Sequence, residues 1–503
     1  TGFRKWKYRL RGMGRGVPID IWPWGSIGPH ALTHFLRQTG EIAHAMPVET
    51  FYALPISEMR RFITPGALMP SQIPASAYGL HLWGGLMRAH LARHHSGVIP
   101  EGSFMADLLE QAEANMQANG IQVLWAVDAD EANQHVLEIA RRHDVKSVVK
   151  SKSMVTEETG LNHALEAADI AVLETDLGEY IVQIGGETPS HIVAPIVHKT
   201  KESIRDLLIT KANMPPTDDT SEMTQFARQL LRKRFLAADM GVSGGNFIVA
   251  ETGSIGLVSN EGNARLTTSL PRVHVSLVGI EKMVPTVADY ALLTQVLPRS
   301  ATGQAMTVYT HLVNGPRQPG ETDGPEHVYV ILVDNGRSQI YTTAYAEALA
   351  CIRCGACLNG CPVYQVTGGH AYGWVYPGPI GAVITPLLTG LENASPLPYA
   401  SSLCGMCKEV CPVDIDIPRM LLDLRHDLVE MGKGGAVWHV GMKAWAWGNQ
   451  SPTLFGLGGK VAALGRNLIP KTLPGPLKGW TDYRTPPKFA PKSFRQLWQE
   501  REE

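Results

Sequence analysis

The sequence lacks several features that would place it in a common functional class. It has no uninterrupted apolar run of eighteen residues, which a membrane-spanning helix needs. Its formal net charge is only -2, so the whole chain carries no electrostatic signature of a protein that binds nucleic acid or an anionic membrane. No G-x-G-x-x-G stretch links a strand to a helix and G-x-x-x-x-G-K-[ST] is absent, so no nicotinamide, flavin or ATP fingerprint is present.

Cysteine is absent from residues 1–350 and 412–503, so all seven cysteines lie in one short segment. They form two runs, Cys351-x-x-Cys354-x-x-Cys357-x-x-x-Cys361-Pro and Cys404-x-x-Cys407-x-x-x-Cys411-Pro. In the C-x2-C-x2-C-x3-C-P pattern three thiolates bind one iron-sulfur cubane, and the fourth cysteine, which precedes proline, ligates the neighbouring cluster. The runs therefore predict two iron-sulfur clusters and an electron-transfer role.

Zinc and disulfides are the alternatives to clusters. Two C-x2-C pairs suit a tetrahedral zinc ion, but zinc leaves the further thiols and both Cys-Pro endings unexplained. Disulfides fit less well, because seven is an odd number and crowded thiols are typical of a reducing compartment.

The basic residues 1–7 lead into prolines rather than into the apolar segment of a signal peptide. We therefore expect a cytoplasmic iron-sulfur protein.

The second run has one cysteine fewer, because Ser401 stands where the first run has Cys351. Crossover of the last cysteine of each run predicts two ligand sets: Cys351, Cys354, Cys357 and Cys411 for a 4Fe-4S centre, and Cys361, Cys404 and Cys407 for the second centre. Three thiolates suit a 3Fe-4S cluster or a 4Fe-4S cluster with one open iron. Ser401 is a weak candidate for the fourth ligand, since a hydroxyl binds iron poorly near neutral pH, and a turn residue is the alternative.

Apolar periodicity divides the chain into four parts. Residues 1–104 form an irregular segment of unknown role, rich in Gly, Pro, Trp and His. Residues 105–340 alternate helix and strand patterns, which predicts an α/β domain with a mainly parallel sheet. Residues 341–432 predict a helical ferredoxin-like module that carries both clusters. Residues 433–503 are a Trp-, Gly- and Pro-rich tail, suited either to docking a partner or to crossing the protein's own surface.

Within the α/β domain the predictions are more specific. Residues 170–174 are predicted as a strand buried on both faces, residues 156–168 as one capped helix and residues 200–236 as a helical stretch. A glycine-rich turn at 251–256 follows another predicted strand. It resembles the glutamate turn of class I CoA-transferases, which makes Glu251 a weak candidate for a catalytic nucleophile. A tight turn whose glycines adopt positive φ explains the same residues.

Both cysteine runs closely resemble those of the LutB (YkgF-type) lactate-utilisation iron-sulfur proteins: Cys-Ile-Arg-Cys-Gly-Ala-Cys-Leu-Asn-Gly-Cys-Pro-Val-Tyr and Leu-Pro-Tyr-Ala-Ser-Ser-Leu-Cys-Gly-Met-Cys-Lys-Glu-Val-Cys-Pro-Val. Four stretches are similar to that family's LUD domain, at residues 151–154, 174–179, 191–195 and 251–256. The resemblance covers residues 104–450. It implies a LUD domain with a fold similar to the NagB/RpiA/CoA-transferase group, followed by a helical ferredoxin-like domain with two clusters. A serine at the position of Ser401 is usual in that family.

The resemblance implies an iron-sulfur electron-transfer subunit of a cytoplasmic system that oxidises L-lactate to pyruvate, rather than a self-sufficient enzyme. It also implies two partners, a cysteine-rich LutA-like protein and a second LUD protein like LutC. Two other interpretations stay open. One is an iron-sulfur subunit of another 2-hydroxy acid dehydrogenase or of a heterodisulfide-reductase-like complex. The other is a CoA-transferase-like enzyme or a redox-sensing scaffold, because fold alone does not assign a substrate.

Overall fold

The computed structural model describes most of the chain beyond its first hundred residues. The described residues are 104–190, 195–341, 343–433, 436–465, 470, 472–473, 478–482, 484–486 and 489–502. Two of the sequence predictions therefore lie outside the described residues: the irregular N-terminal segment up to residue 103, and residues 191–194 of one LUD-like stretch.

The described chain begins with alternating helices and strands. The helices are α1 (Phe104–Ala118), α2 (Ala129–Arg142), α3 (Met154–Glu158), α4 (Leu161–Ala167), α5 (Leu177–Gly185), α6 (Lys201–Ala212), α7 (Thr220–Ala237), α8 (Asn263–Ser269), α9 (Val287–Thr302) and α10 (Arg337–Tyr341). The strands are β1 (Gln122–Ala126), β2 (Ser147–Lys150), β3 (Ala171–Glu174), β4 (Met240–Ser243), β5 (Phe247–Val249), β6 (Ser254–Ser259), β7 (Val273–Gly279), β8 (Met283–Val284), β9 (Tyr309–Val313) and β10 (His327–Val333).

Two sheets organise this α/β domain. The larger has the strand order β1-β10-β7-β4-β2-β3, and all its neighbouring strands pair in parallel, which confirms the predicted parallel sheet. The smaller has the order β8-β5-β6-β9 and contains a β5-β6 antiparallel hairpin. The sequence analysis did not predict this second sheet, because an apolar pattern can locate a single strand such as β5 but does not show which strands pair with it.

The large sheet is covered on both faces, as parallel sheets require. Along β10, Val328, Val330 and Leu332 face one hydrophobic core, which the small sheet and α1 complete. The intervening Tyr329 and Ile331 face a second core built with α2 and α4. The predicted double-sided burial of residues 170–174 is wrong, because β3 is an edge strand.

Two predicted helical stretches are each broken in the structure. The stretch at 156–168 becomes α3 and α4, because Gly160 adopts a left-handed φ of +68°. The stretch at 200–236 becomes α6 and α7. Asn213 closes α6 in the left-handed region, two prolines follow, and the Asp219 carboxylate then caps α7. At both breaks the backbone preferences of glycine, asparagine or proline end a helix, although the helical spacing of apolar residues continues through the break.

The elements after residue 343 are helical throughout the described segments. They are a 3-10 turn (Ala346–Ala350), α11 (Ala356–Asn359), α12 (Pro362–Thr367), a 3-10 turn (His370–Tyr372), α13 (Gly378–Thr389), a 3-10 turn (Leu397–Tyr399), α14 (Met406–Glu409), α15 (Ile417–Glu430), α16 (Ala436–Asn449), α17 (Pro452–Leu464), α18 (Lys478–Thr481) and α19 (Phe494–Glu502). The apolar faces of α13 and α15 pack together in one core that also contains Cys357 and Cys407. In the described part of the chain, no helix is both long and apolar enough to cross a membrane.

Glycine at one sheet position is required by the packing of α8 against β4. A Cβ atom on Gly241 would lie 1.9 Å from the backbone oxygen of Thr267, an overlap that backbone movement must relieve. We expect Gly241→Ala to destabilise the α/β domain by about 3 kcal/mol, measured as a lower denaturation midpoint in urea. Gly185→Ala is the matched control, since its Cβ would make only ordinary contacts at 3.5 Å and beyond within α5. Equal midpoints for the two variants would contradict this packing argument.

Candidate iron-sulfur site

The two cysteine runs share one local backbone conformation. The residue before Cys354 and the residue before its counterpart Cys404 are both left-handed, with φ of +61° at Arg353 and +55° at Leu403. The glycine after each of these cysteines is also left-handed, with φ of +79° at Gly355 and +87° at Gly405. Each glycine then precedes a one-turn helix, α11 or α14. The sequence repeat is therefore also a structural repeat.

Ser401 occupies the position of the missing cysteine in this repeat. Its Oγ accepts a hydrogen bond from the backbone N–H of Leu403 at 3.1 Å. At the equivalent place in the first run, the Sγ of Cys351 accepts from the backbone N–H of Arg353 at 3.4 Å. The alignment of Ser401 with Cys351 therefore extends to the side-chain atom.

Four cysteines from both runs line one small cavity: Cys351, Cys354, Cys357 and Cys411. Its apolar walls include Ile380 from α13 and Ile417 from α15. Cys361, which is much closer in sequence to the first three, does not line this cavity. The structure thus brings together the four thiols that the crossover hypothesis groups, while their role as ligands stays a prediction.

The remaining three cysteines are neighbours of one another. Burial, and then the nearby Cys361 and Cys404, raise the pKa of the Cys407 thiol to about 11. In the first group, burial raises the pKa of Cys354 to about 11. The N–H of Ala356 opposes this rise, and the neighbouring Cys351 and Cys411 contribute to it. Thiols held so close in buried surroundings become thiolates only if positive charge compensates them, as bound iron does.

Backbone donors also suit sulfur atoms that carry negative charge. The N–H of Tyr364 points to Cys361 Sγ at 3.5 Å, and the N–H of Ile415 points to Cys411 Sγ at 3.4 Å. Such N–H···S hydrogen bonds stabilise and tune iron-sulfur clusters. Among the described residues, no three His, Cys, Asp or Glu side chains converge as they would around a single metal ion. The N–H donors at Cys361 and Cys411 suit thiolates that bind a cluster.

The two groups differ in their access to solvent. Cys354 is buried, whereas its counterpart in the second run, Cys404, is exposed. The N–H of Met406 and the hydroxyl of Ser402 lower the pKa of Cys404. The loop that carries Ser401 and Cys404 is held by Arg425 of α15, which donates to the carbonyl oxygens of Pro398 at 2.8 Å and Ser401 at 3.2 Å. The second group therefore reaches the surface at Cys404, while Cys361 and Cys407 are buried.

A buried ion network joins the α/β domain to the first cysteine group. Arg337 at the start of α10 forms a two-point pair with Glu158, at 2.8 and 2.9 Å, and its Nε lies 2.6 Å from Glu281. The Tyr376 hydroxyl donates to Glu158 at 2.6 Å from the helical part of the chain. Burial opposes the charge of Arg337, but Glu281 and Glu158 raise its pKa above the ordinary value. The pKa of Glu281 is about 2, because Arg337 and other cations outweigh the effect of its burial.

Two further cations lie directly beside the first cysteine group. Lys282 Nζ donates to the backbone oxygen of Cys351 at 2.9 Å, and burial together with Arg353 lowers the pKa of Lys282 to about 8. The Arg353 guanidinium lies over the Tyr376 ring at 4.4 Å and 3.8 Å from Glu281. The sequence analysis assigned no role to Lys282 or Arg353. The position of Arg353 inside the Cys-Ile-Arg-Cys stretch was the available signal.

The LUD-like stretches at 151–154 and 174–179 follow β2 and β3 at the carboxyl edge of the large sheet. There Lys150 Nζ lies 2.8 Å from Glu174, and both side chains are buried. Burial, and then Glu157 and Glu174, raise the pKa of Glu179 to about 9. The strand order reverses between β2 and β4, the place where open α/β sheets form ligand crevices. The resemblance quoted these stretches, but the sequence did not predict their common charged cluster.

Glu251 lies elsewhere, in the tight connection of the β5-β6 hairpin. Its exposed carboxylate accepts a hydrogen bond from the N–H of Val287, the first residue of α9. Gly253 adopts a φ of +64°, and a Cβ there would come within 2.3 Å of the backbone of Met116. These contacts favour the turn interpretation, with the carboxylate at the positive end of a helix.

Three protein-family models match separate parts of the chain. A LUD domain model matches residues 109–333, a 4Fe-4S dicluster domain model matches residues 347–415, and a model described as Lactate utilisation protein B, C-terminal, matches residues 428–503. Lactate utilization protein B of Shouchella clausii is 48% identical over 401 residues, covering 78% of this chain and 84% of the relative. The chain belongs to the lactate utilization protein B family. The resemblance found in the cysteine runs is thereby confirmed, as is an iron-sulfur domain.

Other members of the family are similar to this chain over a comparable length. The protein of the same name from Bacillus velezensis is 46% identical over 403 residues, covering 78% of this chain and 84% of the relative. Lactate utilization protein B 1 of Bacillus mycoides is 47% identical over 397 residues, covering 78% and 83%. A solved structure of a DUF162 family protein from Deinococcus radiodurans covers 46% of this chain and 98% of its own, at 15% identity and a TM-score of 0.25. That likeness is too low to support a fold assignment.

The grouping of the thiols makes a specific prediction for single cysteine replacements. Cys411→Ala should damage the four-thiolate centre, because Cys411 lines the cavity of the first run despite its position in the second. Cys361→Ala is the matched control, since it also precedes proline but should damage the three-thiolate centre. Iron analysis and EPR of the reduced proteins would separate the two effects. If Cys411→Ala perturbs only the three-thiolate centre, the crossover assignment is wrong.

Proposed function

We propose that this chain is an iron-sulfur electron-transfer subunit of a cytoplasmic system that oxidises L-lactate to pyruvate. Membership of the lactate utilization protein B family supports the substrate, and the match to the 4Fe-4S dicluster model supports the cofactor. The first group of thiols would hold a 4Fe-4S cluster, and the second a 3Fe-4S cluster or a 4Fe-4S cluster with one open iron.

The observation that carries the proposal is the division of seven cysteines into two adjoining groups. Cys357 of one group and Cys407 of the other lie in the same hydrophobic core, which also contains Tyr372. Conversion of lactate to pyruvate releases two electrons and two protons. Each bound cluster would accept and pass on one electron at a time. Two adjacent centres are therefore suited to carrying both electrons away from the substrate.

The protein environment gives the two centres different tasks in this proposal. Lys282 and Arg353 place positive charge beside the buried first group, which favours the extra negative charge of a reduced cluster. The exposed Cys404 places the second group where a partner can approach. We propose that electrons pass between the inner centre and the surface through these two groups.

Partner proteins complete the proposal. The two thiol groups account for all seven cysteines, and the described residues present no nicotinamide or flavin fingerprint for the first oxidation step. We propose that a LutA-like cysteine-rich protein and a LutC-like LUD protein join this chain, and that lactate is oxidised in the assembly. The buried Lys150 and Glu179 at the carboxyl edge of the sheet mark the place to seek a substrate-derived group in this subunit.

Reduction by substrate tests this function directly. The complex is purified anaerobically with its co-eluting partners, and EPR spectra are recorded before and after addition of L-lactate. We expect L-lactate to reduce the clusters, with pyruvate appearing at one molecule per two electrons. A complex that contains Cys407→Ala is the control for assigning signals to the second centre. If pyruvate forms while the clusters of this subunit stay oxidised, the electron-transfer role is wrong, and if no 2-hydroxy acid reduces them, the substrate class is wrong.

Ser401 makes a second prediction about the surface centre. Mild oxidation should convert that centre to a 3Fe-4S form, because only Cys361, Cys404 and Cys407 supply thiolates to it. Ser401→Cys should suppress the conversion, since Ser401 Oγ already occupies the place of Cys351 Sγ in the repeat. The control Ser402→Cys adds the same thiol one residue away and should not protect. EPR and iron counts after oxidation measure this. A wild-type protein that keeps about eight iron atoms without a 3Fe-4S signal would exclude an open iron site.

A further inference from the structure

The segment after α15 has a charge pattern unlike the rest of the chain. Between Met431 and Thr481 the sequence contains six Lys and Arg residues and no Asp or Glu. All 47 acidic residues of the chain lie outside this stretch. The total charge is nearly neutral because the positive charge of this segment offsets the negative charge of the rest of the chain.

The same segment exposes large apolar side chains on a pair of helices. α16 and α17 pack against each other, and no described side chain from Val440 to Leu464 is buried. Trp445 is 63% exposed, Trp447 65%, Phe455 61% and Leu464 84%. Other exposed apolar residues of this pair are Val440, Met442, Leu457 and Val461. Soluble proteins rarely leave so continuous an apolar surface facing water.

We propose that the α16–α17 hairpin lies in the surface of an anionic lipid bilayer. Its exposed apolar side chains match the acyl boundary, and its lysines, including Lys443 and Lys460, match the negative headgroups above that boundary. Tryptophan prefers this interface because its ring is apolar while its N–H remains near water. Lysine adds to the fit, since its long stem packs on apolar surface while the ammonium group reaches the phosphates.

The geometry favours a helix pair lying on the membrane rather than crossing it. α16 has 14 residues and α17 has 13, whereas about 20 are needed to span the hydrocarbon core. A docked protein is the alternative occupant. A stretch of positive charge over 51 positions complements a uniformly negative surface, and exposed tryptophans beside lysines match the boundary between the headgroups and acyl chains of a bilayer.

Co-sedimentation of the full chain with vesicles tests this proposal. We expect binding to vesicles of equal phosphatidylcholine and phosphatidylglycerol, little binding to pure phosphatidylcholine, and release as salt is raised. Lys443→Glu with Lys460→Glu should weaken binding at least about thirtyfold, because each basic residue contributes about a factor of five at such a surface. Trp445→Ser with Trp447→Ser should weaken binding at unchanged charge. Cluster absorbance and circular dichroism confirm that each variant is folded.

Matched variants outside the hairpin keep the test specific. Lys211→Glu with Lys233→Glu reverses two exposed charges on α6 and α7, and Trp498→Ser removes an exposed indole from α19. These controls should bind vesicles like the wild type. Equal binding to both vesicle types, or hairpin variants that bind unchanged, would overturn the proposal. It would also be overturned if the hairpin variants leave vesicle binding intact but abolish self-association in sedimentation velocity or the co-elution of a partner protein.

Discussion

The guanidinium of Arg337 is buried where the carboxyl edge of the large sheet meets the helical part of the chain. It is held between Glu158 and Glu281, and Tyr376 reaches the same carboxylate from the other side of the junction. Removing one partner from such a buried group leaves an uncompensated charge, at a typical cost of about 3–5 kcal/mol. Gly279 must stay a glycine for this reason, since a Cβ there would come within 2.0 Å of Glu281. The network fixes the cluster-bearing helices on the α/β domain.

This junction determines the surroundings of the first cysteine group. Glu281, which pairs with Arg337, also lies 3.8 Å from Arg353 and next to Lys282, and both cations contact the first cysteine run or its immediate neighbours. The α/β domain thereby contributes charge to a site whose thiols all come from the helical part. Since cluster potential depends on local charge, burial and hydrogen bonds, the two domains form one functional unit in the proposed role. The second cysteine group lacks this enclosure, because Cys404 is exposed.

Solvent exposure and positive charge therefore increase from the buried first thiol group to the C-terminal helices. The first thiol group is enclosed by apolar side chains of α13 and α15, and the second is open to solvent on one side. Beyond α15 the helices expose apolar and basic residues without any acidic ones up to Thr481. The two thiol groups and the surface proposed to bind a bilayer follow one another along the same stretch of sequence. Averages over 503 residues, such as the net charge of -2, conceal this order.

The sequence by itself determined the features that depend on the spacing of residues close together in the chain. The Cys-Pro runs, the place of Ser401 in the repeat, the parallel sheet and the family all follow from residues close together in the chain or from simple periods. Tertiary structure alone decided what depends on distant residues meeting. It set Lys282 beside Cys351, set Arg337 against Glu158 across 179 positions, and gathered Lys150, Glu174 and Glu179 at one sheet edge. A buried charge is costly unless an opposite charge pairs with it, so these contacts matter most where the chain buries them. Which residues are buried is decided by the packed chain and not by any short stretch of it.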